Sequence, residues 1–252
     1  GGADNEKNIT TGVIWQQILL FFFPILFGTF FQQLYNTVDA ILVGQFVGKE
    51  ALSAVSGAPA MIVSLIIGFF TGLASGSTVS ISQYYGSNDL KSVSVTTHTA
   101  IGFSIMGALI LTVAGYFISP WLLRICRVPE DIFTESRIYM QIYFLGLPGI
   151  FIYNMGAGIL RAIGDSKRPF YFLIVGCVLN IILDIIFLIP FKMGVAGAAY
   201  ATVISQAVSA LLTIICLMKE AGPCKLELPK LRMDKKQLYR MLRIGVPAGV
   251  QH

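Results

Sequence analysis

Two aspartates sit where charge is costly. Asp184 falls inside the apolar run from Pro169 to Phe191, and Asp39 closes the first long apolar run. Every other acidic residue lies in a short polar stretch between apolar runs or in a tail. An ionised Asp at mid-bilayer costs about 2.5–3.5 kcal/mol on insertion scales, so a pair costs about 5–7. Side chains kept at that cost face a partner or an aqueous cavity. Asn180 and Asp184 are four residues apart and share a helix face. Gln32, Asn36 and Asp39 follow a four-then-three step and make a polar stripe. The Asp184 carboxylate, the Asn180 amide oxygen and a hydroxyl such as that of Thr202 are hard ligands for a small cation, and the two aspartates read as an ion or proton site. Two facing carboxylates serve a proton equally well. The residue types leave Na+ and H+ both open.

The elements that must hold these groups are membrane helices. The 252 residues are 55% hydrophobic and 12% charged, with mean hydropathy +0.74. A soluble domain carries about twice that share of charge. A helix needs about 20 residues to cross the hydrocarbon. Residues 8–38, 51–88, 92–123, 138–160 and 193–218 are free of charge, and 169–191 are interrupted only by Asp184. Six spans follow, in an all-α integral membrane bundle. Pro24 predicts a kink in the first. The second holds Gly68, Gly72 and Gly76 at four-residue steps, a spacing for close helix contact. The fourth carries Tyr139, Tyr143, Tyr153 and Asn154. The sixth is polar on one side, with Thr202, Ser205, Gln206 and Ser209. Gln32, Asn36, Tyr139, Tyr143 and Gln206 are expected to line a cargo cavity.

The expected organisation is a disordered tail (1–8), a six-helix lobe (9–219), a charged linker (220–243) and the start of a seventh span (244–252). The linker reads as cytoplasmic, with a surface helix over Lys235–Leu242. With the N-terminus inside, thirteen Lys and Arg fall on inner segments and five on outer ones, which orients the chain. The net charge of +5 then reflects inner loops rather than a nucleic-acid partner. Pro247 follows a basic segment much as Pro24 follows the N-terminal tail, which points to two six-span halves. The first apolar run is too long, and lacks the basic leader, for a cleavable signal.

Other chemistries find no support. No nucleophile elbow, phosphate loop, zinc motif or dinucleotide fingerprint is present, so transport would draw on an ion gradient. No cofactor and no enzymatic activity are expected. The four cysteines show no C-x-x-C spacing and read as small hydrophobes. His98 reads as structural.

Several stretches are similar to one family. Asn36-Thr37-Val38-Asp39, with Val43-Gly44 and Ala51-Leu52-Ser53-Ala54-Val55, resembles the first-helix region of multidrug and toxic compound extrusion (MATE) transporters. Tyr85-Gly86-Ser87-Asn88-Asp89 resembles a loop of theirs. Arg161-Ala162-Ile163-Gly164-Asp165-Ser166-Lys167-Arg168-Pro169 matches their R-x-x-G-D-x-K-x-P loop, and Met193 to Thr202 resembles the opening of their sixth helix. The likeness runs from about residue 14 to 251. It implies the first lobe of a twelve-helix, two-lobe antiporter in a bacterial or archaeal cell membrane. Such a protein exports cationic or amphipathic drugs for Na+ or H+, and its partners are the bilayer and a second lobe of the same protein. The resemblance places the cation site on Asp39, Asn180, Asp184 and Thr202 with Asn154 nearby, and makes Pro24 the point where the first helix bends. A polyprenyl-lipid flippase of the same superfamily is the alternative; it would want basic residues in the cavity, and the spans hold almost none. A non-transporting scaffold is the third reading, and would not need buried acids.

Overall fold

A computed structural model describes residues 2–250, with side chains from residue 14 onward. Nine α-helices follow in order among the described residues: α1 (Gly2–Phe46), α2 (Lys49–Ser56), α3 (Ala58–Gly86), α4 (Leu90–Ile125), α5 (Glu130–Leu145), α6 (Leu147–Ala162), α7 (Lys167–Leu188), α8 (Val195–Met218) and α9 (Lys235–Val250). Five stretches are long and apolar enough to cross a membrane, with α2 and α3 together making one of them; α5 and α6 make a sixth as a bent pair. Large apolar side chains face outward, as lipid-facing surfaces do: Trp15, Leu26, Phe117 and Trp121 are each more than 60% exposed.

Four expectations need correction. The tail expected over 1–8 is helical from Gly2, since no proline interrupts the run into the first span. Asp39 does not end its span. The helix continues to Phe46, about 10 Å further, because Ala40, Ile41, Leu42 and Val43 keep it apolar. The fourth span is not one helix but two, bent by 46° at Gly146. Pro148 in the first turn of α6 has no N–H to bond backward, and Gly146 N–H instead donates to Tyr143 O at 2.9 Å. Finally, the boundary expected at 243/244 falls inside α9, where Gln237, Met241, Gly245 and Gly249 form one buried stripe at four-residue steps.

Small residues set the helix contacts. A Cβ on Gly72 would collide with the Gly249 backbone, and one on Gly76 with the Met241 carbonyl, so α3 and α9 touch backbone to backbone. Elsewhere the Phe70 and Phe151 rings stack at 3.7 Å between α3 and α6. The segment between α8 and α9 is docked rather than loose. Cys224 and Leu226 are buried, and Leu226 N–H donates to Leu217 O at 2.9 Å. His98, with Nδ1 2.8 Å from Ser94 O, accepts the Glu227 N–H on Nε2 at 3.1 Å, a structural role.

Candidate functional site

The α6–α7 loop frames the site. Gly164 has φ +90°, a left-handed turn that favours glycine. It brings Asp165 back onto the first turn of α7, where Oδ1 accepts the N–H groups of Lys167 and Arg168 at 3.1 and 3.2 Å. Arg168 pairs with Asp165 and with Glu220 just past the end of α8, the latter at 2.9 Å. Gly164, Asp165 and Arg168 therefore fix where α7 starts and tie it to α8.

Deeper in the bundle, α7 presents Asn180 and Asp184 to α1 and α8. Asp184 is fully buried and Asn180 almost so. Asn180 Nδ2 donates to Thr202 Oγ1 at 3.3 Å and to Ser205 Oγ at 3.0 Å. Thr202 passes its own proton to Ala198 O at 3.2 Å. These bonds use up the amide donors and leave Asn180 Oδ1 without one. Asp39 reaches from α1 and lies directly against Asp184. Asp39 Oδ1 and both Asp184 oxygens also lack any donor. Buried acceptors are rarely left so, because each carries a desolvation cost with nothing to offset it. A small cation could be shared by all of them, whereas a proton would bridge one carboxylate oxygen to the other.

Asp39, Asn180, Asp184 and Thr202 are thus brought together. Asn154 is not bonded to them: its amide donates to Ile150 O on its own helix at 2.8 Å. The five residues expected to line one cavity separate. Gln32 and Gln206 share a narrow cleft with Tyr35 and Asn180, of about 10 Å³, enough for a single water. Asn36 faces a wide open groove of about 530 Å³ between α1 and α2, together with Thr37, Gln45 and Leu52. Tyr139 and Tyr143, with rings 5.8 Å apart, back the aspartate pair. Gln32 and Asn36 share one side of α1 but stand about 6 Å apart along it, so Gln32 falls beside α7 and α8 and Asn36 beside α2. Tyr35 was not singled out from sequence, yet its hydroxyl lies beside Thr202 and Asp39. Its spacing, four before Asp39, was the available signal. Among the described residues no three His, Cys, Asp or Glu side chains converge.

The model of the family described as MatE matches residues 24–186, which take in both aspartates and the loop between α6 and α7. The chain belongs to the MatE family. Relatives agree across almost all of it. A probable multidrug resistance protein of Bacillus subtilis (strain 168), YpnP, is 34% identical over 97% of the chain and 54% of that protein. The multidrug export protein MepA of Staphylococcus aureus (strain MRSA252) is 26% identical over 93% of the chain and 52% of its own length. A crystal structure of a MATE transporter in the bent conformation superposes with a TM-score of 0.85, at 28% identity, over 93% of this chain and 52% of that one. The chain therefore spans about half the length of the relatives it matches. MatE proteins are transporters, not enzymes, and the all-helical bundle is a lobe of their fold.

Proposed function

We propose that this chain is the first half of a secondary active antiporter that exports cationic or amphipathic compounds in exchange for Na+ or H+. The observation that supports the reading is the facing of Asp39 and Asp184 in a site where Asp39 Oδ1 and both Asp184 oxygens are buried without a donor. A pair of bare carboxylates is poorly satisfied alone and well satisfied by one small positive charge. The ion is the cargo of one half-cycle. Na+ would take the Asp39 and Asp184 carboxylates, Asn180 Oδ1 and the free lone pair of Thr202; a proton would bridge the carboxylates alone.

Coupling follows from differential binding. A cation that favours one arrangement of α1 against α7, and a drug that favours the other, exchange by reciprocity, and a preference of about 1–3 kcal/mol gives clear coupling. The groove beside Asn36 and Thr37 carries no Lys or Arg, which suits a cationic cargo and not a lipid phosphate. The excess of Lys and Arg on the segments around Arg161–Arg168 and Lys219–Arg243 supports an inner-membrane orientation with the N-terminus cytoplasmic.

The test is ethidium efflux from vesicles carrying the full-length transporter, titrated separately with Na+ and with pH. Asp39→Asn and Asp184→Asn are expected to abolish ion-driven efflux while surface expression stays normal. Efflux at the wild-type rate in either variant would reject the site.

A further inference from the structure

Ser166 stands at the N-cap of α7 and does not cap it. A serine there normally accepts an N–H of its own first turn. Here that work is done by Asp165, and the Ser166 side chain makes no cap bond. Its hydroxyl instead crosses to another helix and donates to the Phe21 carbonyl of α1 at 2.6 Å, 145 residues away in sequence. Ser166 is 3% exposed, so this bond is shielded from water.

Phe21 lies in the turn before Pro24, inside a helix that runs on through that proline. A proline inside a helix removes its own N–H and presses its ring on the preceding turn, which turns those carbonyls outward. Ser166 supplies a donor at that place. The two ends of the contact differ in freedom. Ser166 sits in a loop fixed to α8 through Asp165, Arg168 and Glu220, and α7 is held to α6 by the Tyr153 hydroxyl on Pro169 O at 2.8 Å. By contrast, the most apolar stretch of α1 is only 6% buried. Along the same side of α1 follow Gly28, where a Cβ would stand 3.0 Å from Leu173 Cδ2, then Tyr35 and finally Asp39. Phe21 and Asp39 are eighteen residues, or about 27 Å, apart. The helix thus meets α7 through two polar contacts, one at each end of this stripe.

We propose that Ser166 is a positioning residue for coupling: its hydroxyl clamps α1 to α7 at the Pro24 turn and makes that turn the fixed end of a lever whose other end carries Asp39. The proposal rests on the reading of Asp39 and Asp184 as the coupling-ion site. Loss of the hydroxyl frees the turn, so ion binding at Asp39 moves α1 as a whole instead of pivoting it, and the link between ion occupancy and α1 geometry weakens.

Two measurements on the full-length protein in nanodiscs decide the matter. The first is amide hydrogen exchange over residues 18–28. Ser166→Ala is expected to speed it about tenfold with α4 and α6 unchanged, and Ser166→Thr, which keeps the hydroxyl, to restore protection. The second is the ion midpoint of efflux, expected to move at least threefold in Ser166→Ala and to return in Ser166→Thr. Wild-type exchange in Ser166→Ala, or no rescue by threonine, overturns the clamp. Faster exchange with an unmoved ion midpoint overturns its role in coupling. If Asp39→Asn leaves efflux intact, the ion site is wrong, and the exchange data still judge the clamp by themselves.

Discussion

The α1–α7–α8 face and the α3–α9 seam lie in one bundle and are held by opposite physics. On the first, α1 meets its neighbours through separated polar contacts: Ser166 to Phe21 at one end, the aspartate pair at the other. On the second, Gly72 and Gly76 meet Gly245 and Gly249 backbone to backbone, with no room for a Cβ. Burial of the most apolar stretch is 6% for α1 against 28% for α7 and 39% for α8 on the same face, and 28% for α2 with α3, so on that face α1 alone is thinly packed. Contacts of shape have one good arrangement and resist sliding. Contacts of charge depend on what occupies the site, so their geometry is open to a ligand. The contrast teaches that α1 is the span this lobe holds least by packing.

The largest effect that would break the comparison is at Asp184. Asp184→Asn is expected to end ion-driven efflux and to leave thermal stability in detergent equal or higher. It removes a buried carboxylate that costs about 2.5–3.5 kcal/mol when ionised at membrane depth. Loss of activity together with a large loss of stability would place Asp184 among the residues that hold the bundle, and the contrast would fail. The seam should answer in reverse. Gly76→Leu drives a side chain into the Met241 carbonyl and is expected to destabilise the protein by about 1–3 kcal/mol or more through overpacking. Gly107→Ala, with nothing within 4 Å of the added carbon, is the neutral control. Thermal unfolding of the two variants side by side checks this.

Much of the site was legible before any coordinates, because charge in an apolar run is conspicuous. Asp39, Asn180, Asp184 and Thr202 stood out by type and spacing, and the structure places them together. Tyr35 did not stand out. An aromatic in a membrane span looks the same whether it faces lipid or a carboxylate, and only tertiary placement separates the two. The break between α5 and α6 was written in Gly146 and Pro148, but charge-free length counts residues and ignores backbone hydrogen bonds. The gathering of Gln32, Asn36, Tyr139, Tyr143 and Gln206 into one cavity failed for a related reason. Polarity marks a residue as functional without saying in which direction it points. The α9 seam was half legible: the four-residue glycine spacing in α3 announced a close contact, while its partner straddles residues that read as the end of a linker (Met241) and the start of a seventh span (Gly245, Gly249).

A smaller effect sharpens the comparison within the site. Asn180 binds no other helix by shape; it joins α7 to α8 through Thr202 and Ser205. Asn180→Ala is expected to lower ion affinity about tenfold by removing one ligand oxygen, and to cost about 1 kcal/mol for the lost hydrogen bonds. Ion titration of efflux, with the maximal rate retained, is the check. A collapsed maximal rate at saturating ion would make Asn180 part of the moving machinery rather than a ligand.

The smallest effect lies outside the membrane, at Glu227. Its side chain pairs with Lys230 at 2.7 Å, and that ammonium holds the carboxyl below its usual range. A carboxyl lowered in the folded state adds stability above its unfolded value and loses it as pH falls through the folded one. The group is exposed, so solvent and salt screen the pair. Meanwhile the Glu227 backbone N–H carries the contact that docks this segment, on His98. Glu227→Gln removes the charge and keeps the N–H, so its thermal unfolding from pH 7 to 4 is expected to run parallel to that of the wild type. His98→Ala removes the acceptor instead and is expected to loosen residues 224–234 in hydrogen exchange at every pH. If Glu227→Gln were the more damaging of the two, this segment would be held by charge and not by fixed backbone contacts.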